Sequence, residues 1–144
     1  MRTPVRWIAE DDTARTAARI MRDENIGFLP VTDASARFVG VVTDRDIAVR
    51  VVAEGQGPDV PVSLVMSRDT VSCRPDDELT VAEQLMARKS KSRIVVTDED
   101  RHVLGVISIT DVAHRDDGWR VARTVKGITR RELKEPEPDD PDHR

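Results

Sequence analysis

"FVGVVTDRDIAVR", Phe38 to Arg50, and "VLGVISITDVAHR", Val103 to Arg115, are one stretch written twice. Each opens as an apolar run holding one glycine and reaches a hydroxyl, Thr43 or Ser108. Each then meets a carboxylate three residues on, Asp46 or Asp111. An apolar-periodic segment follows. That is how a strand running into a helix reads, with polar groups at the joint. Gly40 falls on Gly105, 65 residues later, and Ala48 falls on Ala113.

The same offset extends upstream without a gap. Asp11 and Asp12 fall on Asp76 and Asp77, Ala17 on Ala82, and Met21 on Met86. Val31, Thr32 and Asp33 fall on Val96, Thr97 and Asp98. An ungapped register from about residue 10 to residue 48 identifies a tandem duplication.

Each copy predicts the order β-α-β-β-α. Short first strands are expected at Val5 to Ile8 and Thr70 to Cys73. Asp12 and Asp77 are the expected helix N-caps, because a carboxylate accepts the free N–H groups of a first turn. Ala17, Ile20, Met21 and Glu24 share one side of the first helix. Val81, Ala82, Leu85 and Met86 give its counterpart an apolar stripe. "NIG" at Asn25 to Gly27 is a helix stop. "FLPV-TDASAR-FVGVV" and "RIVV-TDEDRH-VLGVI" then read as hairpins. Neither copy alone covers its apolar sheet face. The fold class expected is therefore α/β (α+β), two repeats related by a pseudo-twofold with their sheets face to face. The expected boundaries are 1–60 and 61–117, with "GQGPDVP" as connection and "VSLVM" as a helical lead-in. Residues 118–144 are expected to hold an amphipathic helix carrying Val121, Val125 and Ile128 among basic residues. A proline-rich acidic tail, too polar to pack, ends the chain.

Composition narrows the function. A net charge of −4 and a pI near 5.4 argue against a general nucleic-acid binder, which needs a basic face for phosphates. No apolar run suits a signal peptide or membrane span, so a cytoplasmic location and no membrane contact are expected. Cys73 is the only cysteine, which leaves no disulfide framework and no cysteine-based metal site. His102, His114 and His143 have no recognised metal spacing. "TDEDRH" lacks the pattern of a calcium loop and reads as a turn. Ser108, Asp111 and His114 are residue types of a hydrolase triad, but they lie along one helix start and cannot form that relay. No phosphate-cradling glycine motif is present.

The joints have chemistry of their own. A carboxylate with two accepting oxygens suits the cis-diol of a ribose. A hydroxyl at the mouth of a helix lies where free N–H groups favour a phosphate. A single such joint is what helix capping alone produces. Two in register inside a repeat point to a ligand.

The repeat resembles a tandem pair of cystathionine-β-synthase (CBS) domains, in the small stand-alone form. Gly40 to Asp46 and Gly105 to Asp111 both fit that family's Gly-h-h-[Ser/Thr]-x-x-Asp motif, with h apolar. "NIGFLPV" is similar to its second-strand segment, and the likeness spans roughly residues 3 to 116. The resemblance implies a regulatory module rather than an enzyme, with no cofactor. Its implied ligand is an adenine nucleotide, AMP, ADP or ATP, with S-adenosylmethionine or NAD as alternatives. Asp46 and Asp111 would take ribose hydroxyls, with Thr43 and Ser108 near the phosphate. Ile8, Phe28, Leu29 and Pro30 would line one base pocket, and Val71, Cys73, Ile94 and Val95 the other. Gly27-Phe28 becomes Ser92-Arg93 in the second copy, which makes Arg93 a phosphate partner and the two sites unequal. Arg45, between two aspartates, reads as solvated or ion-paired. The resemblance also implies a homodimer and an unidentified protein partner. The alternative reading is a non-catalytic interaction scaffold whose clefts are vestigial.

Overall fold

Each hairpin builds a three-stranded sheet with the short first strand of its own copy. The computed structural model describes residues 6–68, 71–77, 79–89 and 93–108. In the first copy β1 (Ile8–Ala9) is followed by α1 (Ala14–Glu24), β2 (Phe28–Thr32) and β3 (Phe38–Thr43). The chain then turns into a short α-helix, α2 (Asp44–Asp46), which continues as a π-helix over Ile47–Val52. The second copy gives β4 (Ser72–Cys73), α3 (Leu79–Lys89), β5 (Arg93–Thr97) and β6 (Val103–Ser108). The closing helix expected after Ser108, with Asp111, and the basic helix and tail expected over 118–144 lie outside the described residues.

The sheets have the orders β1-β2-β3 and β4-β5-β6. In each, the first pair is parallel and the hairpin antiparallel. The registers repeat at the sequence offset: Leu29 faces Val42 as Ile94 faces Ile107, and Phe28 faces Thr43 as Arg93 faces Ser108. Even the irregularity is duplicated. A bulge at Val31/Thr32 recurs at Val96/Thr97. One extra residue reverses the alternation of a strand, so Phe38 shares a buried cluster with Val41 although the two are three apart.

That cluster is the joint between halves. Phe38, Val41 and Val95 pack together with Phe28 and Val103 beside them, bringing the two sheets face to face. The other faces carry each half's own core. Ile8, Ala17, Met21, Leu29, Val31 and Val42 form one, and Cys73, Ala82, Met86, Ile94 and Val96 the other.

Local chemistry corrects the cap of α1 and the buried side of α3, and it bears out the helix stop at Asn25 and the helical turn at Val62–Leu64. The cap of α1 is Thr13, whose Oγ1 accepts from the Thr16 N–H at 3.1 Å. Asp12 stands one residue too early; its Oδ1 accepts the Thr13 N–H at 2.8 Å. Asp77 Oδ2 accepts the Arg74 N–H at 2.8 Å, closing a turn, and residue 78 at the start of α3 lies outside the described residues. The stop after α1 is Asn25, left-handed at φ 53°, a conformation Asn tolerates through its short polar side chain. On α3 the buried side is Ala82, Glu83 and Met86, and Val81 is exposed. "VSL" forms a 3₁₀ turn (Val62–Leu64) bonded to the first copy: the Val62 and Ser63 N–H groups donate to the Asp12 and Glu10 carbonyls. No helix among the described residues is long and apolar enough to cross a membrane.

Candidate functional site

Thr43 ends β3 in extended conformation, and Asp46 is the third residue of the helix it starts. The two close on each other. The Asp46 N–H donates to Thr43 Oγ1 at 3.1 Å, and the Thr43 N–H donates to Asp46 Oδ2 at 2.9 Å. This reciprocal capping box satisfies two orphan donors. It also holds the carboxylate in one orientation, with its side chain only 16% exposed. Oδ1 is outside the box and lies 3.9 Å from Arg50 Nε.

The hydroxyl-carboxylate joint is therefore a cap, and its fixed carboxylate still presents one oxygen that the cap does not use. In the second copy Ser108 ends β6 opposite Arg93, as Thr43 ends β3 opposite Phe28. Asp111 lies outside the described residues.

The glycines have specific neighbours. A Cβ on Gly40 would stand 2.7 Å from the Ser67 carbonyl oxygen and 3.0 Å from Met66 Sδ. A backbone segment thus makes the close approach at Gly40: Val41 and Ser67 exchange N–H···O bonds at 3.0 and 2.8 Å. Gly27 lies against Asp44, whose N–H donates to the Gly27 carbonyl.

The apolar residues named for the base pockets divide between two faces. Ile8 and Leu29 are buried in the first core, and Cys73 and Ile94 in the second, with Val71 partly buried beside them. Burial pushes the Cys73 thiol up from its ordinary range, with Asp77 adding to it. Phe28 and Val95 lie in the cluster between the sheets, and Pro30 is fully buried. Arg93 is exposed, its guanidinium carbon 5.9 Å from the Phe28 ring centroid. Arg45 is exposed, and its N–H donates to Asp44 Oδ1.

"TDEDRH" is the turn its composition indicates. Asp98 Oδ1 accepts the N–H groups of Asp100 and His102 at 2.9 and 2.8 Å, and Oδ2 lies 3.1 Å from His102 Nδ1.

Arg50 was not among the residues singled out from sequence. Its Nη1 donates to the carbonyls of Val65 and Met66 at 3.0 and 2.9 Å, while Nε faces Asp46. The readable signal was an Asp-x-x-x-Arg spacing present in both copies, Asp46/Arg50 and Asp111/Arg115.

The family model of the CBS domain matches the chain twice, over residues 1–53 and 62–118. The chain belongs to the CBS domain family. Among its CBS relatives, the CBS domain-containing protein YhcV of Bacillus subtilis is 36% identical over 113 residues, covering 78% of this chain and 79% of YhcV. The CBS domain protein PAE2072 of Pyrobaculum aerophilum, solved as a complex with AMP, superposes with a TM-score of 0.72 at 24% identity. The match covers 88% of this chain and 95% of that one. The CBS domain pair of protein MJ0100, solved with 5-methylthioadenosine and S-adenosyl-L-methionine, gives a TM-score of 0.70 at 24% identity. There the match covers 79% of this chain and 89% of that one. At these identities the two structures establish the shared CBS-pair fold.

Proposed function

We propose that this CBS pair binds an adenosine-containing nucleotide, AMP foremost, and passes the bound state to a protein partner. The observation that carries the reading is the Asp46 carboxylate. It is held by the Thr43 capping box and keeps Oδ1 outside that box. Such a group is a preorganised acceptor for a ribose cis-diol, and preorganisation removes the ordering cost from binding. Support comes from the ligands of the two similar CBS pairs. AMP, 5-methylthioadenosine and S-adenosylmethionine differ in charge and tail and share adenosine. Asp111 and Ser108 would serve the second copy in the same way. Arg93, the cross-strand neighbour of Ser108, would meet a phosphate there, whereas the first copy offers Phe28 to an adenine ring. The role is recognition rather than catalysis.

Two copies of the chain would pair through the helix that follows the joint, where Val49 and Val52 are 48% and 71% exposed. That surface also favours the second reading, a scaffold acting through this face alone. A thermal-shift screen with AMP, ADP, ATP, S-adenosylmethionine and NAD separates the two. Stabilisation by adenosine ligands supports recognition, and no shift with any of them leaves the scaffold.

A further inference from the structure

Arg50 stands between the candidate site and the connection that leads into the second copy. One guanidinium faces three acceptors: Nη1 donates to the Val65 and Met66 carbonyls at 3.0 and 2.9 Å, and Nε lies 3.9 Å from Asp46 Oδ1. Those carbonyls immediately precede Ser67, which is bonded both ways to Val41 on β3. Gly40 leaves room for the connection to lie there. The contacts close a ring that runs from Val41 along β3 to Thr43 and Asp46, across to Arg50, on to Val65 and Met66, and back through Ser67.

The winding of the helix is part of the device. Arg50 sits in the π-helical segment Ile47–Val52, where the Ala53 N–H reaches the Ala48 carbonyl five residues back. Such turns are uncommon and frequent at functional sites. The planar fork of Arg, unlike the point charge of Lys, can serve a carboxylate and two carbonyls together.

We propose that Arg50 is a positioning residue that couples Asp46 to the inter-repeat connection, so that a ribose diol on Asp46 Oδ1 weakens the hold of Arg50 on Val65 and Met66. The ligand arm rests on the nucleotide reading above; the Asp46–Arg50–connection relay stands apart from it. A diol donating to Oδ1 satisfies the oxygen that orients Nε. The loosened guanidinium then restrains the connection less.

Hydrogen exchange followed by mass spectrometry on the full chain tests this with Asp46→Asn, Arg50→Met and the double variant. Asn keeps an oxygen for the Thr43 N–H, so the cap survives while the charge facing Arg50 is lost. Without nucleotide, Arg50→Met should speed exchange across 62–68 about tenfold, the scale of hydrogen bonds made by a charged group, and Asp46→Asn about twofold, the scale of an i,i+4 ion pair. The double should match Arg50→Met alone, and α1 should stay unchanged. Additive effects, or acceleration spread evenly over the chain, overturn the relay. Saturating AMP should speed exchange across 62–68 in the unmodified chain and have no effect there in Arg50→Met. AMP that binds by calorimetry without speeding that segment overturns the ligand coupling. AMP that fails to bind removes the nucleotide reading and with it the ligand arm, while the variant cycle still decides the relay.

Discussion

Phe28 and Arg93 occupy the same position in the two copies, and they meet: the Arg93 guanidinium carbon lies 5.9 Å from the centroid of the Phe28 ring. Equivalent residues touch only where a twofold axis passes between them. Arg37 and His102, another such pair, form a β-bridge across the same boundary. Arg101 adds a clamp, donating Nη2 to the Phe38 carbonyl at 3.2 Å with its guanidinium 5.8 Å from the Phe38 ring centroid. The divergence of the copies at this position, ring in one and cation in the other, thus fits a contact across the axis.

Arg93→Ala should destabilise the chain by about 0.5–1 kcal/mol, the size of a cation–π contact at an exposed site. Arg93→Lys should recover part of it. Urea unfolding of the three proteins measures this, and a neutral alanine variant would mean that the buried apolar cluster alone joins the halves.

Two glycines next to the site should answer differently to the same substitution. Gly40→Ala drives a Cβ to 2.7 Å from a backbone oxygen that is pinned by the Val41–Ser67 bridge. Overpacking of this kind costs about 1–3 kcal/mol. Gly27→Ala meets the end of the Asp44 side chain at 2.6 Å, which can rotate away into solvent, so its cost should be much smaller. Melting temperatures of the two variants test the order.

Much of this architecture was legible in the sequence because duplication imposes a strict offset on apolar and polar positions alike. Leu29 and Ile94, or Val42 and Ile107, are core pairs on pattern alone. Helix boundaries were less legible. Asp12 and Thr13 are both good caps, and only the extended conformation of Thr13 (φ −92°, ψ 157°) places its hydroxyl on the Thr16 N–H. The π winding after Asp46 has no composition of its own to betray it. The role of Gly40 depends on Ser67, 27 positions away, which pattern reasoning on one repeat cannot reach. Asp46 was legible as a residue, but its tie to Arg50 and the connection became visible only once the chain was folded.

The two hairpin turns should contribute to acid sensitivity. The backbone N–H groups of Arg37 and then Ser35 hold the Asp33 carboxyl below the usual carboxylate range. At the equivalent Asp98, the backbone N–H of His102 acts first, followed by its ring and the Asp100 N–H. A carboxyl whose native pKa is lowered adds stability that is fully present above its unfolded value. That stability is lost as pH falls through the native one. Asp33→Asn and Asp98→Asn should therefore flatten the acid limb of the stability curve and leave its slope near neutrality unchanged. Thermal melts of both variants across that range check the sign; an unaltered acid limb would show that neither turn titrates with unfolding.

Calorimetric titration of AMP into the unmodified chain, Asp46→Ala, Asp111→Ala and the double variant tests the central claim most directly. A hydrogen bond to a charged group is worth roughly 1.5–3 kcal/mol, and 1.4 kcal/mol is a factor of ten. Each single variant should bind about ten- to a hundredfold more weakly at its own site and keep the other, and the double should bind nothing measurable. Asp46→Ala should also lose about 0.5–2 kcal/mol of stability, because the same carboxylate belongs to the Thr43 capping box. Lower stability with AMP affinity unchanged in all three variants would contradict the account and reduce both joints to helix caps.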